Sequence, residues 1–370
     1  MLRAETISEG FGLEALGGSW DDLVRSMARP SPYLLHGWLV EWWRHYGGKS
    51  TLAVHVAFDG DRLVGALPLL LRRRLGLKVS EFLGGKKAQL ADLMLAPDAD
   101  GSAAAELADR VVASGHDYAD LFGMPRDSRL AAALPSGSLR LIERIEAPVL
   151  DLSGGWDAVY KEKVSSKARS NRRRRRRLLE SEGAVEISVA RTPQELDAAL
   201  DEAFRVHESR WHGRRDTSDF GTKTGMAFHR AAVLRLAEQD VPRLVTLRLR
   251  GRVIAFSLYF QLVYTVYGLM MAYDPEYARF APGSEAMLSA FEAASAEGAQ
   301  RVEFLGAAAD HKDKFTDRME PIYEGIGLAS TIRGRAAVEA LASGIHLRRQ
   351  LKRSQAAQRL YYRVPKLGRG

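Results

Sequence analysis

Two stretches of the chain decide its fold: Val54–Leu71, VHVAFDGDRLVGALPLLL, and Val245–Gln261, VTLRLRGRVIAFSLYFQ. Each consists of two apolar runs joined by a short turn, Asp59-Gly60-Asp61 in the first and Arg250-Gly251 in the second, and this pattern predicts a β-hairpin. The two hairpins begin about 190 residues apart, which is the spacing of whole domains and not of solenoid repeats. Helical segments precede both, so we expect two related lobes.

The remaining pattern supplies the elements around each hairpin. In the first lobe we expect helices over Trp20–Ala28 and Trp38–Tyr46 and strands over Ala53–Phe58 and Arg62–Leu71. The elements expected later in the chain are a basic helix Trp156–Glu182 ended by Gly183, a helix Pro193–Trp211, strands Leu244–Leu249, Arg252–Gln261 and Tyr264–Tyr273, a helix from about Glu285 to Glu297, a strand Arg301–Leu305, and a helical tail Ala336–Tyr362.

The fold class follows from this order. We expect an α/β protein of two tandem lobes, each a mixed, mostly antiparallel sheet flanked by helices. A boundary is expected near Ala147–Gly155, where Ser153-Gly154-Gly155 interrupts the pattern. The predicted division is residues 1–152 for the first lobe, 153–330 for the second, and 331–370 for the basic tail.

The charge of the 370-residue chain is unevenly distributed. The formal net charge is +8, yet Lys161–Arg177 and Thr331–Gly370 each hold ten basic residues and one acid, or +9 apiece, which leaves −10 for the rest. An acidic body with two basic segments suggests an anionic partner, such as a phosphate-bearing substrate, a nucleotide, a membrane surface or RNA. The alternative is a solvated helix face, which long runs of like charge often form.

Composition excludes several classes of protein. The chain has no cysteine, so disulfides, thiolate catalysis and cysteine-ligated metal sites are excluded. With 46% hydrophobic and 27% charged residues it has the balance of a globular protein. The start of the chain lacks the apolar segment of a signal peptide, and we expect a cytoplasmic location, peripheral to the inner membrane if the basic tail meets lipid.

Three short motifs are excluded by their spacing. Gly47-Gly48-Lys49-Ser50 ends like a phosphate loop, but Trp43 stands where the first glycine is required. His207-Glu208 begins like a zinc-protease helix, but Trp211 stands in place of the second histidine, so we expect no metal site. The chain also has no GxGxxG fingerprint of a dinucleotide-binding fold.

The segment Tyr264–Phe315 contains the pattern that points to chemistry. A strand leads to Pro282-Gly283-Ser284, which opens a helix, and another strand follows. Backbone N–H groups at a helix start hold phosphate oxygens, and the helix dipole assists them. We therefore predict Pro282, Gly283 and Ser284 as a phosphate-binding turn, with simple helix capping as the alternative.

The order hairpin, strand, phosphate turn, helix, strand resembles the GCN5-related N-acetyltransferase (GNAT) fold. The chain more specifically resembles the tandem-lobe BioF2-like or CelD-like acetyltransferases, which are related to the FemAB peptidyltransferases. The matching residues are Gly65-Ala66-Leu67-Pro68-Leu69, Gly84, Asp92-Leu93, Lys167-x-Arg169-x-Asn171, Leu178, Gly183, Phe204-x-x-His207-x-x-Arg210-Trp211, Tyr273-Asp274-Pro275, Pro282-Gly283, Glu303-Phe304-Leu305-Gly306, Lys312 and Phe315. Glu303 and His311 stand where the family usually has Asp and Tyr.

The resemblance implies an acyltransferase whose second lobe binds acyl-CoA, with acetyl-CoA as the expected donor. The implied reaction is N-acylation of a sugar, an amino sugar or another cell-envelope or exopolysaccharide precursor. A related alternative keeps the fold but uses aminoacyl-tRNA, as FemAB ligases do, and the Arg172–Arg177 run would suit RNA. Against tRNA, the run lacks the interleaved aromatic residues that stack on bases.

Residue chemistry and the resemblance together nominate the site. Lys312 is a candidate for stabilising the oxyanion or holding an anionic acceptor, with a solvated loop lysine as the alternative. His207 and Glu208 are the candidate bases, because histidine titrates near neutral pH, and a histidine packed between the lobes is the alternative for His207. The candidate acceptor-binding residues are Asp92, Arg210, Trp211 and Tyr259.

A second class of function is a regulated binding module. Arg349 and Arg353 are four residues apart in the basic tail, and arginines at that spacing on one helix face can grip a phosphate pair. The pattern resembles the arginine motif of PilZ cyclic-di-GMP receptors, although no PilZ barrel sequence accompanies it. A solvated basic helix or a contact with an anionic membrane surface is the alternative.

Overall fold

The computed structural model describes residues 1–211, 218–306 and 314–353, and within them the strands form one 13-stranded sheet. The strands are β1 (Leu2–Ile7), β2 (Thr51–Asp59), β3 (Arg62–Arg74), β4 (Leu77–Phe82), β5 (Met94–Leu95), β6 (Tyr118–Met124), β7 (Leu139–Asp151), β8 (Val185–Ala190), β9 (Pro242–Leu249), β10 (Arg252–Leu262), β11 (Thr265–Tyr273), β12 (Arg301–Glu303) and β13 (Arg318–Gly327). Their order is β1-β2-β3-β4-β6-β13-β7-β12-β11-β10-β9-β8, with β5 on β3.

The two halves of this sheet repeat one pattern. Antiparallel strands β1 to β4 lead to β6, which is parallel to β4, and antiparallel strands β8 to β11 lead to β12, which is parallel to β11. The predicted fold class, two lobes with mostly antiparallel sheets flanked by helices, is confirmed. The structure adds that the two sheets are joined edge to edge.

The join is a reciprocal exchange of strands. β7 follows the first lobe in sequence but pairs with β12 of the second through Asp151 and Arg301. β13 follows the second lobe but pairs with β6 of the first, where Gly327 faces Ala119. β13 also pairs along its full length with β7, from Arg318 opposite Val149 to Gly327 opposite Leu139. The division of the chain at residue 152 stays a prediction. Each exchanged strand pairs with a strand from the other side of that division in the sequence.

Helices cover both faces of the sheet. They are α1 (Gly10–Glu14), α2 (Gly17–Ser26), α3 (His36–Tyr46), α4 (Gly101–Val112), α5 (Arg129–Ala133), α6 (Trp156–Lys163), α7 (Ser166–Ser181), α8 (Pro193–Trp211), α9 (Lys223–Ala237), α10 (Pro282–Ala296) and α11 (Ile332–Arg353). One buried apolar cluster spans both lobes, and the ring centroids of Trp38 on α3 and Phe228 on α9 are 4.8 Å apart in it. No helix in the described ranges combines the length and the apolarity that crossing a bilayer requires.

Both predicted hairpins are present. Asp59 pairs with Arg62, and Leu249 pairs with Arg252, so each hairpin closes on a two-residue turn. The predicted single helix Trp156–Glu182 is wrong, because the chain breaks between α6 and α7. The Ser165 hydroxyl accepts a hydrogen bond from the Ala168 N–H at 3.2 Å and so starts α7 as a separate helix.

Charged side chains form a row across the centre of the sheet. Arg74 on β3 donates to Asp120 on β6 at 2.8 Å and forms an ion pair with Glu81 on β4 at 2.6 Å. Glu324 on β13 is ion-paired with Arg144 on β7. Burial, followed by a hydrogen bond and repulsion from Asp120, raises the pKa of Glu324 to about 7. The row therefore ties both exchanged strands to the first lobe through nearly buried carboxyl groups.

We predict that Glu324 makes stability depend on pH. Because its pKa is higher in the folded than in the unfolded chain, Glu324 stabilises the fold below about pH 4.5, and that contribution is lost as pH rises through about 7. Glutamine does not titrate, so this loss is absent in Glu324→Gln. From pH 5 to pH 8 the free energy of unfolding of the variant should therefore rise by about 1–3 kcal/mol relative to that of the natural chain. Urea denaturation at both pH values measures this.

The matched control is Glu146→Gln, which changes an exposed carboxylate on β7. It should leave the pH dependence of the unfolding free energy unchanged. Equal pH dependence in Glu324→Gln and the natural chain would contradict the assignment of a raised pKa to Glu324.

Candidate active site

The start of α10 is the centre of the candidate site. β11 ends at Tyr273, and a 3-10 helix (Pro275–Phe280) leads to Ala281, which caps α10 without a side-chain hydrogen bond. Ala281 has φ of 52°, a left-handed conformation that costs a non-glycine residue about 1–2 kcal/mol. This turn aims the first turn of a 15-residue helix, with its positive dipole end, at the space beside α7.

A cavity of about 570 Å³ lies between that helix start and helices α6 and α7. Its volume is in the usual range for small-molecule sites. The large apolar residues that line it include Leu179, Leu247, Phe280, Met287, Leu288 and Phe315. The cationic residues that line it are Lys163, Arg172, Arg175, Arg176 and Lys314. The cavity therefore combines apolar surface with a concentration of positive charge.

Arg172 and Glu285 form an ion pair inside the cavity. The Arg172 Nε donates to Glu285 Oε2 at 2.7 Å and its Nη2 donates to Oε1 at 3.1 Å, while the guanidinium carbon lies 5.3 Å from the Tyr160 ring centroid. Burial alone would lower the pKa of Arg172, but the hydrogen bonds and charge of Glu285 outweigh burial and raise it. The pair fixes α7 against the first turn of α10.

Arg175 differs from Arg172 because no ion pair or hydrogen bond within the described residues engages its guanidinium. Arg175 is exposed at the mouth of the cavity and lines it on the same side of α7, whereas Arg173, Arg174 and Arg177 are exposed and do not line it. Arg176 is held by Glu180 at 2.8 Å. The arginine run is thus divided between residues that line the cavity and residues that face solvent.

The backbone of β11 is open beside this region. β11 pairs with β12 only from Thr265 to Tyr267, opposite Arg301 to Glu303, and then continues alone on that side to Tyr273. Leu269 is an extra residue in the ladder with β10, a bulge that re-aims the neighbouring peptide groups. Residues 268–271 are partly exposed. Within the described residues this stretch presents backbone groups with no strand beside them.

The predicted phosphate turn lies at the cavity, with different roles for its residues. Pro282 and Ser284 line the cavity. Gly283 is buried, and a Cβ built on it would lie 2.9 Å from Cδ1 of Tyr273. Gly283 therefore allows α10 to approach β11 closely. A contact between Gly283 and a phosphate stays a prediction.

The predicted bases lie away from the cavity. His207 is buried on α8, where its Nε2 lies 3.0 Å from the Ser218 hydroxyl and its ring centroid 5.2 Å from that of Phe220. Burial lowers the pKa of His207, so its imidazole is neutral at pH 7. Glu208 is exposed on the next position of α8. This placement agrees with the packed histidine considered as the alternative, and a catalytic role for either residue stays a prediction.

The predicted acceptor-binding residues are dispersed. The Arg210 guanidinium lies 4.7 Å from the ring centroid of Tyr273, the residue that Gly283 contacts, so Arg210 is near the start of α10. Trp211 is half-buried beside Arg210. Tyr259 is buried in the apolar core under α10.

Asp92 lies in the first lobe and has a structural position. Its carboxylate accepts hydrogen bonds from the Ser128 hydroxyl at 2.7 Å and from the backbone N–H groups of Arg129 and Leu130 at 2.7 and 3.1 Å. These bonds cap α5 and use both oxygens. Asp92 does not line the cavity at α10.

The side chains of three further predicted residues lie outside what the structure describes. Lys312, with His311 beside it, lies outside the described residues. Arg349 and Arg353 belong to α11, whose last described residue is Arg353, and their side chains lie outside what the structure describes.

The sequence of α7 itself contains a signal for the cavity. Ala168, Arg172, Arg175, Arg176 and Leu179 all line the cavity and follow helical spacing along α7. That stripe identifies the cavity side of the arginine run. The partner Glu285, by contrast, is 113 residues further along the chain, and only the fold brings it to Arg172.

We predict that the Arg172–Glu285 pair stabilises the fold. Arg172→Gln removes both hydrogen bonds to the mostly buried Glu285 carboxylate and leaves it only Arg176, at 3.7 Å, so it should lower the free energy of unfolding by about 1–3 kcal/mol. The double variant Arg172→Gln/Glu285→Gln should recover part of that loss, because no charge is then left unpaired. The exposed Arg177→Gln on the same helix is the control and should change stability by less than about 0.5 kcal/mol. Equal losses in Arg172→Gln and Arg177→Gln would contradict the account.

Comparisons with known proteins agree with this architecture. Residues 166–313 match the model of the acetyltransferase (GNAT) domain. Among solved structures the chain is similar to FemX, with a TM-score of 0.61 and 13% identity over 88% of this chain and 96% of that one. It is also similar to a conserved protein of unknown function from Bacteroides thetaiotaomicron, with a TM-score of 0.56 and 14% identity over 88% and 100% of the two chains.

A third similar structure is the C-terminal domain of a protein described as a lysylphosphatidylglycerol synthetase from Agrobacterium fabrum, with a TM-score of 0.55 and 13% identity over 89% and 95% of the two chains. No curated protein sequence matches the chain. Residues 166–313, which carry the cavity side of α7 and the start of α10, therefore match a GNAT acetyltransferase domain, a match that supports an acyltransferase activity, and the chain has a fold similar to that of FemX.

Proposed function

We propose that the protein is an acyl-CoA-dependent N-acyltransferase that binds its donor, acetyl-CoA, in the cavity at the start of α10. The observation that carries the proposal is the combination, in one cavity, of a helix start, an arginine with no protein partner among the described residues, and an apolar floor. A CoA thioester has the same division, with phosphates at one end and an uncharged pantetheine arm at the other. Arginine suits the phosphates because its guanidinium binds them bidentately.

The reaction would need few groups from the protein. An acceptor amine attacks the thioester carbonyl, the C–N bond forms, the C–S bond breaks, and the proton lost by the amine is balanced on the departing sulfur, which leaves as the CoA thiol. Partly exposed backbone N–H groups of β11 are suited to stabilise the developing oxyanion, because fixed backbone donors cost little reorganisation. Lys312 keeps its proposed role at the oxyanion or the acceptor, on the strength of the resemblance alone.

The proposed acceptor is a sugar, an amino sugar or another cell-envelope or exopolysaccharide precursor, and this too rests on the resemblance. Arg210 supports a polar acceptor near the donor, because its guanidinium stacks on Tyr273 at the end of β11 next to Gly283. We place the acceptor on the α8 side of that strand and the donor on the α10 side. The first lobe's Asp92 is not needed in this arrangement, since its carboxylate caps α5.

The second candidate is an aminoacyl-tRNA-dependent transferase. It is favoured by the likeness to FemX and by the exposed arginines on α7, which are placed to meet an RNA backbone outside the cavity. The two candidates differ in which arginines matter. A CoA donor needs the arginines that line the cavity, whereas RNA would use Arg173, Arg174 and Arg177, which are exposed outside it.

We predict that Arg175→Gln weakens acetyl-CoA binding about tenfold, because a hydrogen bond to a charged group contributes about 1.5–3 kcal/mol. Arg174→Gln is the matched control: it removes the same charge from the neighbouring exposed position and should change the dissociation constant less than about twofold. Isothermal calorimetry with acetyl-CoA measures both.

Two outcomes would contradict the donor proposal. If Arg175→Gln and Arg174→Gln weaken binding equally, the donor does not sit in the cavity. If the natural chain binds no acetyl-CoA but binds aminoacyl-tRNA, with a loss on Arg174→Gln, the tRNA-dependent reaction replaces it. Calorimetry with cyclic-di-GMP and an Arg349→Gln/Arg353→Gln variant tests the binding-module alternative in the same assay.

A further inference from the structure

One end of the first lobe carries exposed apolar residues among unpaired cations. The β3–β4 hairpin ends there, and so do the start of β6, the end of β13 and the start of α11, because β6 is parallel to β4 and antiparallel to β13. Leu75 at the hairpin tip is fully exposed, Ile332 at the start of α11 is 86% exposed, and Val112 at the end of α4 is 52% exposed. We call these three residues and their surroundings the lobe-one tip.

Asp117 shows that the parts of the tip are close together. Its Oδ2 accepts a hydrogen bond from the Lys78 N–H at 2.7 Å, and its Oδ1 accepts one from the Thr331 hydroxyl at 2.9 Å. The hairpin and the first residues of α11 are therefore tied to the same carboxylate. Leu77, two residues from Leu75, packs against the cluster of α11 residues that covers this part of the sheet.

Leu75 is an unusual residue for its position. Arg74 pairs with Leu77, so Leu75 and Gly76 are the two turn residues, and their φ values are 49° and 84°. Such a turn needs two left-handed residues and favours Asn-Gly. A leucine there is both conformationally unfavourable and exposed to water, and the folded chain gains no packing from it. This combination indicates that the side chain is kept for a contact outside the molecule.

The cations around the tip indicate what that contact is. Arg73, Lys78, Arg333 and Arg335 are all exposed, and none of them makes an ion pair within the described ranges of the chain. Apolar side chains that project from a cationic rim match an anionic lipid surface, where the rim meets headgroups and the apolar residues enter the interface.

We propose that the lobe-one tip docks on an anionic membrane, with Leu75 and Ile332 inserted at the headgroup level. This surface is separate from the cavity at α10, so the proposal stands independently of the donor's identity. It also differs from the membrane contact that the sequence suggested for the basic tail. A partner protein or a second copy of the chain would need a complementary apolar face, whereas lipid requires only that the tip residues project together.

The duplicated fold supplies a matched control. The equivalent hairpin of the second lobe, between β10 and β11, turns at Val263 and Tyr264, which are also exposed, and Val263 has φ of 55°. Its neighbours Gln261, Leu262 and Thr265 carry no charge. The strands that follow the two tips, β4 and β11, run in opposite directions, so the two tips lie at opposite ends of the sheet. Arg301, whose N–H donates to the Tyr264 carbonyl, is ion-paired with Glu303 and Glu320, so the second tip has the apolar turn but not the unpaired cations of the lobe-one tip.

The test uses the full chain and the fact that it has no cysteine. Leu75→Cys and Val263→Cys are each labelled with an environment-sensitive dye and mixed with vesicles of phosphatidylcholine, alone or with one-third phosphatidylglycerol. We expect a blue shift only for the label at position 75 and only with phosphatidylglycerol. A shift at both positions, at neither, or equally with both kinds of vesicle would overturn the proposal.

Binding is measured separately by vesicle sedimentation, with thermal denaturation as the check on folding. Leu75→Asn puts the favoured residue into the turn, so it should fold at least as well as the natural chain, and it should lower the partition coefficient on anionic vesicles about tenfold. Val263→Asn should bind like the natural chain. The proposal is overturned if Leu75→Asn binds normally while Arg349→Gln/Arg353→Gln does not, or if Leu75→Asn only converts a dimer into a monomer.

Discussion

The structure depends on the pairing of two exchanged strands. β7 leaves the first lobe and pairs with β12 of the second, β13 leaves the second and pairs with β6 of the first, and the two pair with each other between them. The backbone hydrogen bonds of this pair close the edge that each lobe would otherwise expose. A single sheet therefore runs through both lobes, and the position of the helices that form the cavity is fixed relative to the first lobe.

Each lobe has a pair of parallel strands that separate after a few residues, and the two lobes use the space beyond that point differently. In the first, β4 and β6 part after Ser80 and Ala119, and the charged row that includes Glu81, Asp120 and Glu324 lies across the adjoining strands. In the second, β11 and β12 part after Tyr267, and β11 continues with its edge open beyond that pair. The first lobe thus has ion-paired, nearly buried charged side chains at this point, and the second lobe has an open strand edge where a ligand can bind. This division agrees with the match of residues 166–313 to an acetyltransferase domain.

The sequence predicted the parts of the fold that local patterns determine. Alternating apolar residues and the turns at Asp59-Gly60-Asp61 and Arg250-Gly251 located both hairpins, and the order of elements indicated the fold class. The exchange of β7 and β13 was not predicted, because strand partners are chosen by long-range pairing. The break between α6 and α7 was missed because the arginine-rich pattern hides the Ser165 cap. At the site, the motif pointed to Pro282 and Ser284, which line the cavity, and their phosphate-binding role stays a prediction, whereas the contact of Glu285 with Arg172 required the fold.

The central claim is that the exchanged strands make the two lobes one cooperative unit, and native-state hydrogen exchange tests it most directly. The account predicts that peptides covering β7 and β13 exchange only through global unfolding, and that β6 and β12 share the same free energy of opening. It also predicts that denaturant lowers this free energy with one common slope for all four strands. Exchange of β12 and β13 through a separate opening, while β6 and β7 stay protected, would show two independent lobes and contradict the account.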